Sequence, residues 1–303
     1  MAINLKHYEL CFLILHFLDF EMTSKCIESL LNAFANKSVF IVVVDNGSTN
    51  DSGKLLEKKY INNDSVYIIF NSFNLGFAKG NNVGYSWIRN NIDCDFLCVN
   101  NNDIIIKQED VLDLLKKEYE KTNFAVLGPD IVSLSGKHQN PLFLKALSFD
   151  EIIKYKESLE ITRKRFFMHY IRENIEKIIN KENKEKSYNS ECEKIEYMHN
   201  PVLHGACYFF SKKYMLNNEH LFNPRTFMYF EENILHYECL KKGLDMIYFP
   251  EIRVEHLEDI STKAFIKNSY SREKWILKES IKSVSIMIDI MKEENTSGNN
   301  DYS

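Results

Sequence analysis

Short apolar runs alternate with stretches of helical periodicity over the first part of the chain. Glu9–His16 reads as a strand. From Thr23 to Ala35, residues Cys26, Ile27, Leu30, Leu31 and Phe34 recur at the spacing of one helix face, with Thr23 or Ser24 as N-cap. Val39–Val44 is an unbroken, mostly β-branched run, the pattern of a strand covered on both faces. It stops at Asp45, and a turn-rich loop through Ser52 leads to a helix over Gly53–Tyr60. Val66–Phe70 predicts a third strand, ending at Asn71. Asn74–Gly84 is a Gly- and Asn-rich loop passing into a helix that ends near Asn90. Asp95–Val99 predicts the next strand, which halts in Asn100-Asn101-Asn102-Asp103, and a helix over Asp110–Lys121 follows. Ala125–Leu127 then runs into Gly128-Pro129-Asp130.

This alternation predicts an α/β fold with a mostly parallel central sheet and helices on both faces. Right-handed crossovers bring the carboxyl ends of such strands to one edge. One strand ending in Asn or Asp is a turn, because these side chains bond their own backbone. Three ending so on one edge predict a ligand site, since open α/β sheets bind ligands beyond those ends. Asn101 and Asp103, two apart, would offer the hard oxygen ligands that Mg²⁺ or Mn²⁺ prefers.

The pattern changes over 142–198, which is charged and helix-forming and reads as a helical insertion. Asn180–Lys194 within it is polar enough for a mobile loop. The core resumes at Val202–Phe210. Thr226–Glu232 leads into a helix that Gly243 terminates. Met246–Pro250 is a strand and Val254-Glu255-His256 a short further one. Trp275–Met291 closes the pattern as an amphipathic helix within a C-terminal helical segment, 263–292, and 293–303 reads as a disordered tail.

Composition narrows the classes. A net charge of -5 argues against bulk electrostatic binding to nucleic acid. The seven cysteines are scattered without a CxxC pair, which disfavours a disulfide framework or zinc site and points to a reducing cytoplasm. Leu10–Leu15 is short for a signal-peptide core and is cut by His16 and Asp19. No stretch approaches the roughly 18 apolar residues of a membrane span. Arg163-Lys164-Arg165-Phe166-Phe167 and the Trp275 helix are the places where peripheral contact with the inner face of a membrane could occur.

Four blocks together resemble family 2 glycosyltransferases of the GT-A nucleotide-diphospho-sugar transferase fold, in particular the bacterial rhamnosyltransferase-like branch. Val42–Thr49 is similar to VVVDNGST, and Asn74–Asn82 to NLGFAGGNN. Val99–Asp103 stands where the family has the N-P-D form of its metal-binding D-x-D. Thr226–Glu232, then Gly243, Pro250 and Val254-Glu255-His256, follow the family's terminal pattern. Residues 1–262, insertion aside, would form the catalytic domain. The resemblance implies inverting transfer of a sugar from a UDP- or dTDP-linked donor to a hydroxyl of a growing glycan, free or lipid-linked, with Mn²⁺ or Mg²⁺ on the diphosphate. It implies metal binding by Asp103, Asn101 and His256, and donor-nucleotide binding by Asp45, Asn46, Gly47, Asn74, Gly76, Asn81 and Asn82. Glu232 would be the catalytic base and Glu231 its partner. A carboxylate of ordinary pKa, about 4.3, would be ionised at neutral pH for that task.

Three positions depart from the pattern: Asn102 replaces the central Pro, and Ile234 and Glu238 replace an Asp and an Arg of the terminal helix. The sequence leaves open a sugar nucleotidyltransferase, although that family's Gly-rich basic loop is missing between His16 and Thr23. It also leaves open a catalytically inactive nucleotide-sugar-binding or scaffold protein. Neither the sugar and acceptor nor the oligomeric state is legible.

Overall fold

The computed structural model describes residues 5–166, 168, 196–257 and 268–297. The chain divides into two compact units: residues 1–146 with 195–265, and 147–194 with 266–303. In the first unit the described strands are β1 (Lys6–His16), β2 (Val39–Asp45), β3 (Val66–Phe70), β4 (Ile92–Asn101), β5 (Ile104–Ile105), β6 (Val126–Ser133), β7 (Met198–His199), β8 (Cys207–Ser211) and β9 (Met246–His256). They form one sheet in the order β3-β2-β1-β4-β8-β6-β9-β5, with β7 also on β9. Its helices are α1 (Phe20–Ala33), α2 (Ser52–Tyr60), α3 (Gly76–Asn91), α4 (Val111–Thr122), α6 (Lys212–Asn217) and α7 (Glu231–Lys241). The second unit contains α5 (Phe149–Lys164) and α8 (Ser269–Ser297).

Alternation along the strands builds two cores. Leu10, Phe12, Ile14, Val39, Ile41 and Val43 pack with α1, α2 and α4 on one face. Cys11, Leu13, Val42 and Val44 pack with α3, α6 and α7 on the other. Both faces are therefore dry, which is why β1 and β2 show no polar alternation. Helix α3 approaches the sheet closely, because a Cβ on Gly84 would collide with Leu13 and Val44, and one on Gly80 would lie 2.7 Å from Leu15.

Strands β1 to β4 are mutually parallel, so their carboxyl ends share an edge. Strand β8 runs antiparallel between β4 and β6, so its first residue lies at that same edge. The β6–β9 pair is parallel, with a shift that sets Pro129 opposite Phe249 and Asp130 opposite Arg253. This bulge absorbs Pro250, whose missing N–H could not serve a regular ladder. The strand expected to break at Pro250 and restart at Val254 is thus one strand, and it carries His256 to the ligand edge.

Other boundaries also differ from expectation. Helix α1 begins at Phe20 because Asp19, not Thr23 or Ser24, caps it, its side chain accepting from the Met22 N–H. The sheet resumes at Met198, inside the stretch read as insertion. The last helix reaches Ser297, into the stretch read as tail. The capping box of Ser148 and Glu151 starts α5, and Phe166 is buried with Leu277 and Ile281. That aromatic is therefore turned inward and does not offer itself to a membrane. Phe167 and the expected mobile loop Asn180–Lys194 lie outside the described residues. The cysteines among the described residues are free and buried. No described helix is long and apolar enough to cross a membrane.

The close α3 contact generates a prediction. Gly84→Val should lower the free energy of unfolding by about 1–3 kcal/mol, because Leu13 and Val44 have no open space to enter. Urea denaturation measures it, and an unchanged midpoint would contradict this packing.

Candidate active site at the carboxyl edge of the sheet

Asp45 ends β2, opposite His16 of β1, and is 5% exposed. Its Oδ1 accepts from the Ser48 N–H at 3.1 Å, and its other oxygen rests against the α carbon of Gly53, where no Cβ could fit. Asp45 makes no ion pair among the described residues, so its carboxylate is available to a donor N–H or O–H. Gly47, at φ +75°, lies under the backbone of Phe73, where a side chain would clash.

The asparagines of the neighbouring loop divide by what they touch. Asn46 donates to Asn74 Oδ1 and the Gly76 carbonyl, each at 3.1 Å, and accepts from Asn71 and the Leu75 N–H, each at 3.1 Å. Those four bonds exhaust a carboxamide, so Asn46 clasps the loop. Asn82 likewise holds Leu221 and Phe222, accepting from both backbone N–H groups and donating to the Phe222 carbonyl. Asn74 accepts from the Gly76 N–H at 2.8 Å. Asn81 donates to the Phe77 carbonyl, while its buried Oδ1 has no partner. Gly76, at φ +81°, lets the Phe227 carbonyl approach α3, where it accepts from the Phe77 N–H at 2.7 Å. That contact joins the Asn74 loop to the segment leading into α7.

At the end of β4, Asn100 is turned inward to Cys26, and Asn102 to Thr23. Asn101 is held by its backbone N–H on the Ala206 carbonyl, at 2.8 Å. Asp103 is 5% exposed, and its buried Oδ1 has no hydrogen-bond partner. The nearest cationic or neutral base is His256, whose Nε2 lies 3.4 Å away. His256 Nδ1 donates to Gln139 Oε1 at 2.7 Å, so a neutral imidazole turns its Nε2 lone pair toward the Asp103 oxygen. Two acceptors facing each other in a buried site favour a cation between them. Among the described residues no three His, Cys, Asp or Glu side chains form a complete metal cage.

The His204 and His256 rings sit 5.9 Å apart, edge to face. His204 Nδ1 accepts from the Ala206 N–H at 3.1 Å, and burial, then the neighbouring His256, push its pKa down to about 4. Next to it, a Cβ on Gly205 would lie 2.5 Å from Glu232 Oε1. The turn 204–206 therefore joins the Asp103–His256 end of the edge to the carboxylate pair. The chain enters α7 through Tyr229 and Phe230, both left-handed at φ +73° and +68°. Such backbone costs about 1–3 kcal/mol per residue and concentrates at functional sites.

Glu232 differs from the ordinary pKa expected of it, and its partner is shifted as well. Burial, then the Glu232 charge, push Glu231 up to about 8. Burial also raises Glu232, against backbone N–H groups that include that of Gly205. The Glu232 charge thus favours the protonated form of Glu231. A raised base lies closer to the operating pH, which favours proton transfer. Three residues here escape sequence reasoning: His204, Gln139 and His16. The antiparallel start of β8 would have pointed to His204; nothing local marks Gln139, a loop residue placed by the pairing of Val132 with His138.

The sequence profile described as Glycosyl transferase family 2 matches residues 13–215. A curated relative, the low-salt glycan biosynthesis hexosyltransferase Agl10 of Haloferax volcanii, is 27% identical over 95 residues, 31% of this chain and 29% of that protein. The match thus spans under a third of that relative. Among solved structures, S. aureus TarS 1-349 superposes with a TM-score of 0.52 at 12% identity, covering 82% of this chain and 60% of that one. A second S. aureus TarS structure gives 0.50 at 12% identity, covering 85% and 38%. The sheet with helices on both faces is the architecture these share.

The pair yields a pH prediction. Glu231 binds its proton more tightly folded than unfolded, so wild-type stability falls as pH rises from about 4.5 toward about 8. Glu231→Gln keeps the shape and removes that loss. Thermal unfolding should show matching midpoints at the acid end of this window and a higher midpoint for the variant at the alkaline end. A constant difference across the window would contradict the assignment.

Proposed function

The chain belongs to glycosyl transferase family 2, and from that premise we propose that it transfers a sugar, with inversion, from a UDP- or dTDP-linked donor to a hydroxyl of a growing bacterial surface glycan. Capsule, lipooligosaccharide and O-antigen are the acceptor classes in view, free or lipid-linked, reached from the cytoplasmic side. The single observation that carries this reading is Asp103: a buried carboxylate oxygen without a partner, faced by His256 and joined through the 204–206 turn to Glu232. The Haloferax volcanii relative, a glycan biosynthesis hexosyltransferase, supports the same substrate class.

In this reading Asp45 accepts hydrogen bonds from the donor base or ribose. Asn74, Gly76 and Asn81 line the donor loop; Asn46 and Asn82 hold its shape from behind, and Gly47 lets it pass close to Phe73. Asp103 and His256, with Asn101 beside them, would hold Mn²⁺ or Mg²⁺. A bound divalent ion acts as a Lewis acid, offsetting the charge that grows on a departing diphosphate. The acceptor hydroxyl attacks the anomeric carbon as the bond to the phosphate oxygen breaks, and Glu232 takes the hydroxyl proton on its carboxylate. Protonated Glu231 adds no second negative charge beside it and keeps an O–H for orienting the acceptor.

Asp103→Asn and Glu232→Gln should each lower kcat by about 10²–10⁴, read as sugar transfer or hydrolysis from UDP- or dTDP-sugars with Mn²⁺. Asp103→Asn should also weaken the dependence on Mn²⁺, which Glu232→Gln should leave intact. Wild-type rates in both variants would overturn these roles.

A further inference from the structure

One fully buried polar network lies between the two ends of the candidate site. His16, at the end of β1, is 0% exposed. Its Nδ1 lies 2.7 Å from Thr23 Oγ1 and its Nε2 lies 2.8 Å from Ser52 Oγ. Thr23 Oγ1 has two further neighbours, the Asp19 carbonyl at 2.9 Å and Asn102 Nδ2 at 3.0 Å.

One assignment of the protons pairs every donor with an acceptor. In it the Thr23 hydroxyl gives its single proton to the Asp19 carbonyl, which also accepts from the Thr23 N–H at 3.2 Å. A carboxamide nitrogen only donates, so Asn102 gives to Thr23. The hydroxyl then has no proton left for His16, and His16 Nδ1–H is the donor. The opposite nitrogen then carries a lone pair, and the Ser52 hydroxyl donates to it. Burial keeps the ring neutral, pushing its pKa down to about 4 against the opposing charges of Asp45 and Asp19. In this arrangement each of these contacts joins a donor to an acceptor, the condition under which a buried network rigidifies its surroundings.

Its two arms end at different subsites. Ser52 opens α2 and precedes Gly53, against which the Asp45 carboxylate rests. Asn102 immediately precedes Asp103, and it stands where the sequence pattern expects Pro, a residue with no side-chain donor. The link to Thr23 therefore exists because of that departure.

We propose that His16 is a positioning residue, fixed as its Nδ1–H tautomer, which couples the donor-base end of the site at Asp45 to the metal–diphosphate end at Asp103. It acts through Ser52 on one side and through Thr23 and Asn102 on the other. The coupling rests on the donor-site reading proposed for this edge; the tautomer does not. The expected signature is selective: loosening Asn102 should harm only the part of nucleotide affinity that needs a metal.

Two measurements test this. Long-range ¹H–¹⁵N spectra of ¹⁵N-histidine-labelled full-length protein, with His16 assigned through its loss in His16→Gln, should show the Nδ1–H tautomer at neutral pH. An Nε2–H ring or an imidazolium would overturn the network. Calorimetric titration with UDP, with and without Mn²⁺, reads the coupling. Thr23→Val should reduce the Mn²⁺-dependent gain in affinity about 10–100-fold while metal-free affinity stays at the wild-type level, and Thr23→Ser should restore the gain. Asn102→Ala should reproduce the loss with the His16 tautomer intact, which keeps the test decisive if Thr23→Val folds poorly. Equal losses with and without Mn²⁺, or no loss, would overturn the coupling. If wild-type protein bound no UDP in either condition, the donor reading would fall and the coupling with it, while the tautomer spectrum would still decide the network.

Discussion

Buried negative charge at one edge of the sheet is the constraint around which the rest is arranged. Asp45 and Asp103 are each 5% exposed, and neither forms an ion pair with a lysine or arginine among the described residues. An isolated carboxylate removed from water is costly unless it is hydrogen-bonded, paired or bound to a metal. Asp45 is partly satisfied by the Ser48 N–H, whereas Asp103 leaves one oxygen without a hydrogen bond and has His256 as its neighbour. A fold that tolerates this gains from a ligand bringing hydrogen-bond donors to the first carboxylate and positive charge to the second. A nucleoside diphosphate with a divalent cation brings both.

The topology makes that concentration of charge achievable. Four parallel strands end at the edge, and the antiparallel β8 starts there. Three helices, α2, α3 and α7, begin close to it, and helix N-termini favour negative charge. The local cost is visible in the backbone: Leu18, Asp51, Tyr229 and Phe230 are left-handed without being glycine, and all lie in loops entering α1, α2 or α7. Surrounding contacts, such as the Phe227 carbonyl on the first turn of α3, hold these loops in place.

The strand positions were legible because both sheet faces are dry. Val39–Val44 could hardly be read otherwise, and the Asp and Asn residues that stop each run mark the edge. Pairings between distant segments were not legible. Nothing local says that β8 inserts between β4 and β6, or that a bulge lets β9 continue through Pro250 to His256. Sequence reasoning named Asp45, Asp103, Glu232 and His256 as site residues, and the structure sets Asp103 beside His256 and Asp45 at the end of β2. That reasoning could not distinguish an asparagine facing a ligand from one engaged by the protein's own backbone, as Asn46 and Asn82 are. It also assigned Thr23 to capping α1, when that hydroxyl is engaged with His16 and Asn102 and Asp19 caps instead. Ordinary carboxylate behaviour was expected of Glu232 because burial, the cause of its upward shift, is a property of the fold.

The central claim is that the edge binds a nucleotide diphosphate and a divalent ion together. A thermal-shift screen of nucleotide sugars against the full chain, each with and without Mn²⁺, tests it most directly. A ligand at ~100 times its Kd adds ~2.7 kcal/mol of stability. The account predicts a clear upward shift for a UDP- or dTDP-sugar that grows when Mn²⁺ is present. Stabilisation by nucleotide sugars that is identical with and without Mn²⁺, or none with any of them, would contradict it.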